Sequence, residues 1–222
     1  MIIQPDLKAF KSRHKTKKSQ FMWIKASGDL ETPVSIMIRV ANKKANSFLL
    51  ESVQGGSQRG RYSAIGLDPD LIWKCQGSKA EINHNPSDKK SEFIKEKVSA
   101  LNSLEAIIDE SRIDIPENLP PMSSGLFGYI GYDMIRLMEK IPDKNKDSLN
   151  LPDGLLIRPK IMIIFDNVED VVYIITPIWP KKSMGILSAY KAGEKRLINI
   201  VNSFEKRIVK EKSKKTKNYS PK

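Results

Sequence analysis

Residues 48–70, FLLESVQGGSQRGRYSAIGLDPD, decide the fold. The apolar run 48–53 reads as a strand, 54–59 as a turn built on Gly55 and Gly56, and 62–65 as the returning strand of a hairpin. Sheets assembled from such local hairpins are antiparallel. Within this one, Glu51 and Ser52 follow three apolar residues, and strand alternation turns one of the pair toward the core. An ionised acid there is costly without a partner. Two partners are open: an arginine across the hairpin, Arg59 or Arg61, or an amino-acid ligand. The ligand's ammonium would take the carboxylate, and its own carboxylate would take the hydroxyl or nearby N–H groups.

The pattern continues on both sides of the hairpin. Residues 21–25 predict a short strand, and Asp29-Leu-Glu-Thr-Pro33 is a helix entry, with 34–41 compatible with helix or strand because of its β-branched content. Residues 71–76 and 80–83 form a second strand pair around Gly77-Ser78. The apolar positions Ile94, Val98, Leu101, Leu104 and Ile108 step by threes and fours and predict a helix within 89–112. After a proline-rich loop come Gly125, Gly128 and Gly131 and a short helix through Met138. Residues 161–165 and 171–176 are β-branched runs around a turn, buried on both faces, and Ile186, Tyr190, Leu197, Ile200, Phe204 and Ile208 mark a final helix. Both amphipathic helices need a sheet to cover.

At 222 residues with 40% hydrophobic content, the chain can bury a substantial core. The net charge of +12 raises nucleic-acid binding as a function, but its distribution speaks against it. Residues 1–20 carry six Lys/Arg against Asp6, and 205–222 carry eight against Glu205 and Glu211, so the ends hold eleven of the twelve charges. They read as solvated tails without a base-stacking platform, so no specific nucleic acid is expected. A short helix followed by a basic loop is predicted within 1–18. With no long apolar run there is no signal peptide or membrane span, and the cytoplasm is the expected location. Cys75, the single cysteine, can form no intrachain disulfide, has no metal-ligand spacing around it and reads as a strand filler.

No complete catalytic constellation is visible. The three glycines are spaced by three and do not form a dinucleotide fingerprint, so they read as points of close backbone packing. His14 and His84 lie in polar segments without a nucleophile nearby. Asp166 with Asp170, and Asp109 with Glu110, are simplest as a turn and a helix end. Neither catalytic nor metal residues are assigned.

Several strings, in order and spacing, resemble the N-terminal part of anthranilate synthase component I. They are Asp29-Leu-Glu-Thr-Pro-Val-Ser35, Phe48-Leu-Leu-Glu-Ser52, Gly60-Arg-Tyr-Ser63 with Ile65-Gly-Leu-Asp-Pro69, and Gly125-Leu-Phe-Gly-Tyr-Ile-Gly-Tyr-Asp133. Leu151-Pro-Asp153, Arg158-Pro159 and Phe165-Asp-Asn167 extend the match. Aminodeoxychorismate synthase component I shares the architecture and is the alternative branch, as is a stand-alone amino-acid-binding regulatory remnant. The resemblance implies an α+β fold of antiparallel β-sheets packed together with flanking helices. It divides the chain into a basic segment 1–20, a regulatory domain 21–211 and a lysine-rich tail 212–222, ending before the chorismate-binding catalytic domain.

For the complete enzyme, the resemblance implies conversion of chorismate and ammonia from a glutamine amidotransferase subunit to anthranilate and pyruvate, with tryptophan as feedback inhibitor. Mg²⁺ and the acid/base residues are expected in the second half, so this chain alone is expected to be inactive and to hold no cofactor. What carries over is the inhibitor site: Ser52, with Glu51 beside it, matches the family's tryptophan contact, the other contacts lying outside the chain. Arg61, Tyr62 and Ser63 are expected to support the site structurally, Arg61 by neutralising Glu51.

Overall fold

In a computed structural model, residues 2–14, 18–41, 45–54, 58–142, 147–180 and 184–205 are described. Their strands are β1 (Gln20–Ser27), β2 (Phe48–Gln54), β3 (Gln58–Gln76), β4 (Lys79–Asn83), β5 (Ile94–Lys95), β6 (Phe127–Ile130), β7 (Gly154–Asp166) and β8 (Val171–Ile178). The helices are α1 (Leu7–His14), α2 (Pro33–Ala41), α3 (Ala100–Glu110) and α4 (Ile186–Phe204), with a 3-10 turn over Tyr132–Leu137. The strands form one antiparallel sheet in the order β1-β8-β7-β3-β4-β5, with β2 also on β3 and β6 also on β7. The expected sheets are thus two halves of a single curled one, with helices flanking it.

Two long strands join the halves. β3 and β7 pair from Tyr62↔Asp166 to Cys75↔Gly154, with one register shift between Pro69 and Leu71. The sequence predicts two separate strands, 62–65 and 71–76, where the molecule has one. Asp68 takes a positive φ of 49° and the extra residue falls at Asp70, so the strand bends without breaking.

Alternation along these strands builds a core on each face. One face carries Ile24, Ile65, Ile163 and Ile174 beneath Ile36 of α2 and Leu197 of α4. The basic N-terminal segment is a solvated tail only in part. Phe10 of α1 is fully buried in this core, edge-on to Tyr190 with ring centroids 5.2 Å apart, while Lys8, Lys11 and Arg13 face solvent. The opposite face carries Trp23, Ala64, Ile164 and Ile175 under the loop that holds Leu119. At the far end, α3 and the 3-10 turn close over Leu71, Trp73 and Cys75. Cys75 is the core filler its sequence context predicts; burial raises its thiol pKa.

Local signals fix the helix ends. Pro33 opens α2 behind Thr32, whose hydroxyl accepts from Ser35 N–H at 3.1 Å while Ser35 Oγ accepts from Thr32 N–H at 3.1 Å. That reciprocal cap resolves the ambiguity of 34–41 in favour of helix. The helix expected within 89–112 is shorter: Ser99 caps it by accepting from Asn102 N–H, and Ile94 and Val98 are exposed upstream. Ile94 instead pairs with Ile82 at the sheet edge. Residues 206–222, including Ile208 and the lysine-rich tail, and the hairpin tip 55–57 lie outside the described residues.

The glycine triplet divides as close packing requires. Gly128 has φ +156°, and a Cβ there would overlap the Leu155 carbonyl, whereas a Cβ at Gly125 would meet only the Phe127 ring at 3.7 Å. Gly128→Ala is expected to cost about 3 kcal/mol or more in urea unfolding, and Gly125→Ala to change stability by less than about 1 kcal/mol. Equal effects at the two positions would refute close approach as the role of Gly128.

Candidate functional site

Glu51 and Ser52 stand at the rim of a cleft of about 560 Å³. The loop after β1, residues 28–32, and the start of α2 form one wall; the turn at 166–170 forms another; Ser63 and Phe165 make the floor. The location follows from topology. β2 is an edge strand whose register on β3 slips between Glu51 and Val53, so regular pairing is interrupted just where the acid and hydroxyl fall.

The expectation that one of the pair points into the core fails, because both side chains are exposed. The slip is the physical reason: it interrupts regular alternation at Ser52, on the open cleft side of this edge strand. Ser52 instead lies directly over Gly60, where any Cβ would collide with it. Phe48 sits over Gly66 in the same way, so two β3 glycines seat the β2 side chains.

Arg61 does not neutralise Glu51. Its guanidinium grips Asp166, with Nη2 at 2.9 Å and Nε at 3.2 Å, and it reaches Glu169 at 3.7 Å. The Arg59 side chain lies outside the described residues. Tyr62 is half-buried, with the Arg61 guanidinium 4.9 Å from its ring centre, and Ser63 is buried opposite Glu51. Among the described residues Glu51 has no ion-pair partner.

Five carboxylates therefore line the cleft: Asp29, Glu31, Glu51, Asp166 and Asp170. Glu31 is paired with Arg39 at 2.5 Å and Asp166 with Arg61, which leaves Asp29, Glu51 and Asp170 to set the sign. A chain of net charge +12 thus carries an acidic cleft, suited to an ammonium group. The N-terminal end of α2 on the same wall favours a carboxylate through its peptide dipoles. The residues that sequence reasoning left without a role here are Asp29 and Glu31. Their signal is the Asp-Leu-Glu-Thr-Pro string, which reads by sequence as a helix entry and as part of the family resemblance, with no site role. The rim carries two exposed apolar side chains, Leu30, 95% exposed, and Val34.

Elsewhere the expected bland readings hold. Asp166 accepts from the N–H groups of Val168 and Glu169, an Asx turn, and Asp109 pairs with Arg112 at the end of α3. Glu110 belongs to a network the sequence does not announce: Arg158, only 6% exposed, donates to Asp70 at 2.8 Å and to Glu110 at 3.0 Å. Burial opposes the Arg158 charge, but the two acids outweigh it and hold the guanidinium above its ordinary pKa. Among the described residues, no group of three or more His, Cys, Asp or Glu is placed to hold a metal ion, and no helix is long and apolar enough to cross a membrane.

Fold and cleft together define an α+β sheet domain of the type found in anthranilate synthase component I. The crystal structure of that protein from Streptococcus pneumoniae superposes with a TM-score of 0.50 at 20% identity, covering 81% of this chain and 38% of the other. By sequence the chain is homologous to part of anthranilate synthase component 1. It is 39% identical to the protein of Cereibacter sphaeroides over 198 residues, 89% of this chain and 40% of the relative. It is 33% identical to that of Pseudomonas putida over 81% of this chain and 35% of the relative. The Thermus thermophilus protein is 30% identical over 67% and 30%. The chain spans well under half the length of these relatives. No family model matches it.

The clamp on Asp166 gives the floor a pH signature. Burial would raise its pKa, but the Arg61 hydrogen bonds and the two turn N–H groups outweigh that and lower it. A lowered folded-state pKa adds stability that is present above the unfolded value of about 3.9 and lost as pH falls through the folded one. Asp166→Asn is expected to cost about 1 kcal/mol at neutral pH and to flatten the stability loss below about pH 4, measured by urea unfolding across pH. An unchanged acid limb would show that Asp166 is not clamped.

Proposed function

We propose that the chain is the N-terminal, tryptophan-sensing part of an anthranilate synthase component I, with 21–211 as the sensing domain, 1–20 a basic segment and 212–222 a lysine-rich tail. In the complete cytoplasmic enzyme, chorismate and ammonia from a glutamine amidotransferase subunit become anthranilate and pyruvate. This chain by itself holds part of the sensing site and does not turn over chorismate. The observation that carries the reading is the meeting of Glu51 and Ser52 with the 28–32 loop around one acidic cleft of amino-acid chemistry. Glu51, without an ion-pair partner among the described residues, is the partner for an ammonium, Ser52 and the start of α2 receive the carboxylate, and Leu30 and Val34 face an apolar side chain.

The exposed apolar rim supports a second wall supplied by a further part of the enzyme. Leu30 and Val34 leave apolar side chains at that rim open to solvent. A separate set of exposed apolar side chains, Ile130, Tyr132 and Leu151, lies around β6 at the other end of β7. An inhibitor held between two walls favours one arrangement of them and so changes substrate affinity by linkage. The Mg²⁺ of the family finds no donor set among the described residues.

Two measurements test this. Titration calorimetry of residues 1–222 with tryptophan is expected to give binding weaker than about 100 μM, because half the contacts are absent. Micromolar binding would refute the two-walled site. In a chimera that joins this chain to the remainder of the Cereibacter sphaeroides relative, Ser52→Phe is expected to raise the tryptophan concentration for half-inhibition by at least about tenfold, with uninhibited turnover retained. Full sensitivity in that variant would remove Ser52 from the inhibitor site.

A further inference from the structure

A second cavity, of about 320 Å³, lies between α4 and the end of β8 and shares no residue with the acidic cleft. Its electrostatic character is the opposite. Arg196 reaches into it from α4, one face of which presents Ala189 and Ala192 to the same space, with Ile178, Trp179 and Lys160 completing the wall. Arg196 Nε donates to Thr176 Oγ1 at 2.9 Å, and that fully buried hydroxyl donates on to the Lys160 carbonyl at 2.8 Å. The guanidinium is therefore oriented through its Nε edge, while its two terminal nitrogens have no acceptor among the described residues.

The carboxylate that lines the cavity is bonded to another arginine, though its charge still acts on Arg196. Asp70, which also lines the cavity, is gripped by Arg158 through Nε at 2.8 Å and Nη2 at 3.3 Å. Among the described residues, no carboxylate forms a salt bridge with Arg196. Burial lowers the Arg196 pKa, with the Asp70 charge opposing. The Trp179 Nε1 is buried and lacks an acceptor too, and Arg158 lies 4.7 Å from its ring centre. A half-buried arginine held ready and unpaired, beside an orphaned indole N–H and an apolar floor, is a set of donors without a ligand.

We propose that this cavity binds a small organic carboxylate, its two oxygens on the terminal nitrogens of Arg196 and its apolar body on Ile178, Ala189 and Ala192. The planar fork matches a carboxylate, and the apolar floor favours a ligand with a hydrocarbon body over an inorganic oxyanion.

The test uses the ¹⁵N-labelled full chain, which has three tryptophans and hence three indole N–H resonances. Trp179→Phe assigns the reporter, and Trp73, whose Nε1 donates to Ser103 Oγ at 3.1 Å, is the internal control. Millimolar sodium benzoate is expected to shift the Trp179 resonance saturably, with sodium chloride at equal ionic strength leaving it in place. Arg196→Met is expected to weaken benzoate by at least about tenfold, and Ala192→Met, which fills the floor and keeps the charge, to weaken it similarly. A benzoate response no larger than that of chloride, or one unchanged in either variant, would overturn the site. Inorganic phosphate binding more tightly than benzoate would overturn the carboxylate assignment.

Discussion

The pairing of β3 with β7 is the constraint on which the other elements depend. Only these two strands run through both halves of the sheet, from Tyr62↔Asp166 to Cys75↔Gly154. β2 and β4 attach to opposite ends of β3, and β6 and β8 to opposite ends of β7, so the order of the sheet follows from that one register. The floor of the acidic cleft is a product of it as well: Ser63 and Phe165 are register partners. A slip of one residue would exchange the two faces of both strands and put Ile65 and Ile163 where Ala64 and Ile164 now pack.

At the single irregularity of this pairing sits the most buried charge network. Asp70 is the extra residue of the bulge, and Arg158 stands beside it, tied also to Glu110 at the end of α3. Such a pair contributes little net stability once desolvation is counted, but the directional bonds specify where the strand bends and where α3 ends. It also occupies Asp70, which leaves Arg196 in the neighbouring cavity without a salt bridge among the described residues. The molecule thus separates its charges: an acidic cleft at one place and a cationic cavity at another, neither visible in a net charge carried almost wholly by the chain ends.

Legibility varied with the range of the interaction that decides each feature. The hairpin 48–65, the turn at Asp166 and the helix entry at Thr32-Pro33 depend on neighbours a few residues away, and the sequence reads them correctly. The continuous β3 was not legible, because a bend at Asp68 to Asp70 is indistinguishable in sequence from a break between two strands. The helix α3 is legible but its start is not, because the apolar spacing of Ile94 and Val98 mimics a helical face while the pairing of Ile94 with Ile82 takes that segment into the sheet. Gly128 was recognised as a point of close approach, but only the Leu155 carbonyl opposite it separates Gly128 from Gly125.

The sequence by itself determined the fold class, the local turns and caps, and the kinship with anthranilate synthase component I, because each is written in short-range patterns or in strings that survive in order. It also singled out Glu51 and Ser52. What only the tertiary structure decided is what surrounds them. Arg61 turns to Asp166 and not to Glu51, the 28–32 loop becomes the facing wall, and Arg196 is left without a salt bridge among the described residues. Those outcomes depend on partners up to about a hundred residues apart, such as Arg61 with Asp166, brought together by strand register alone.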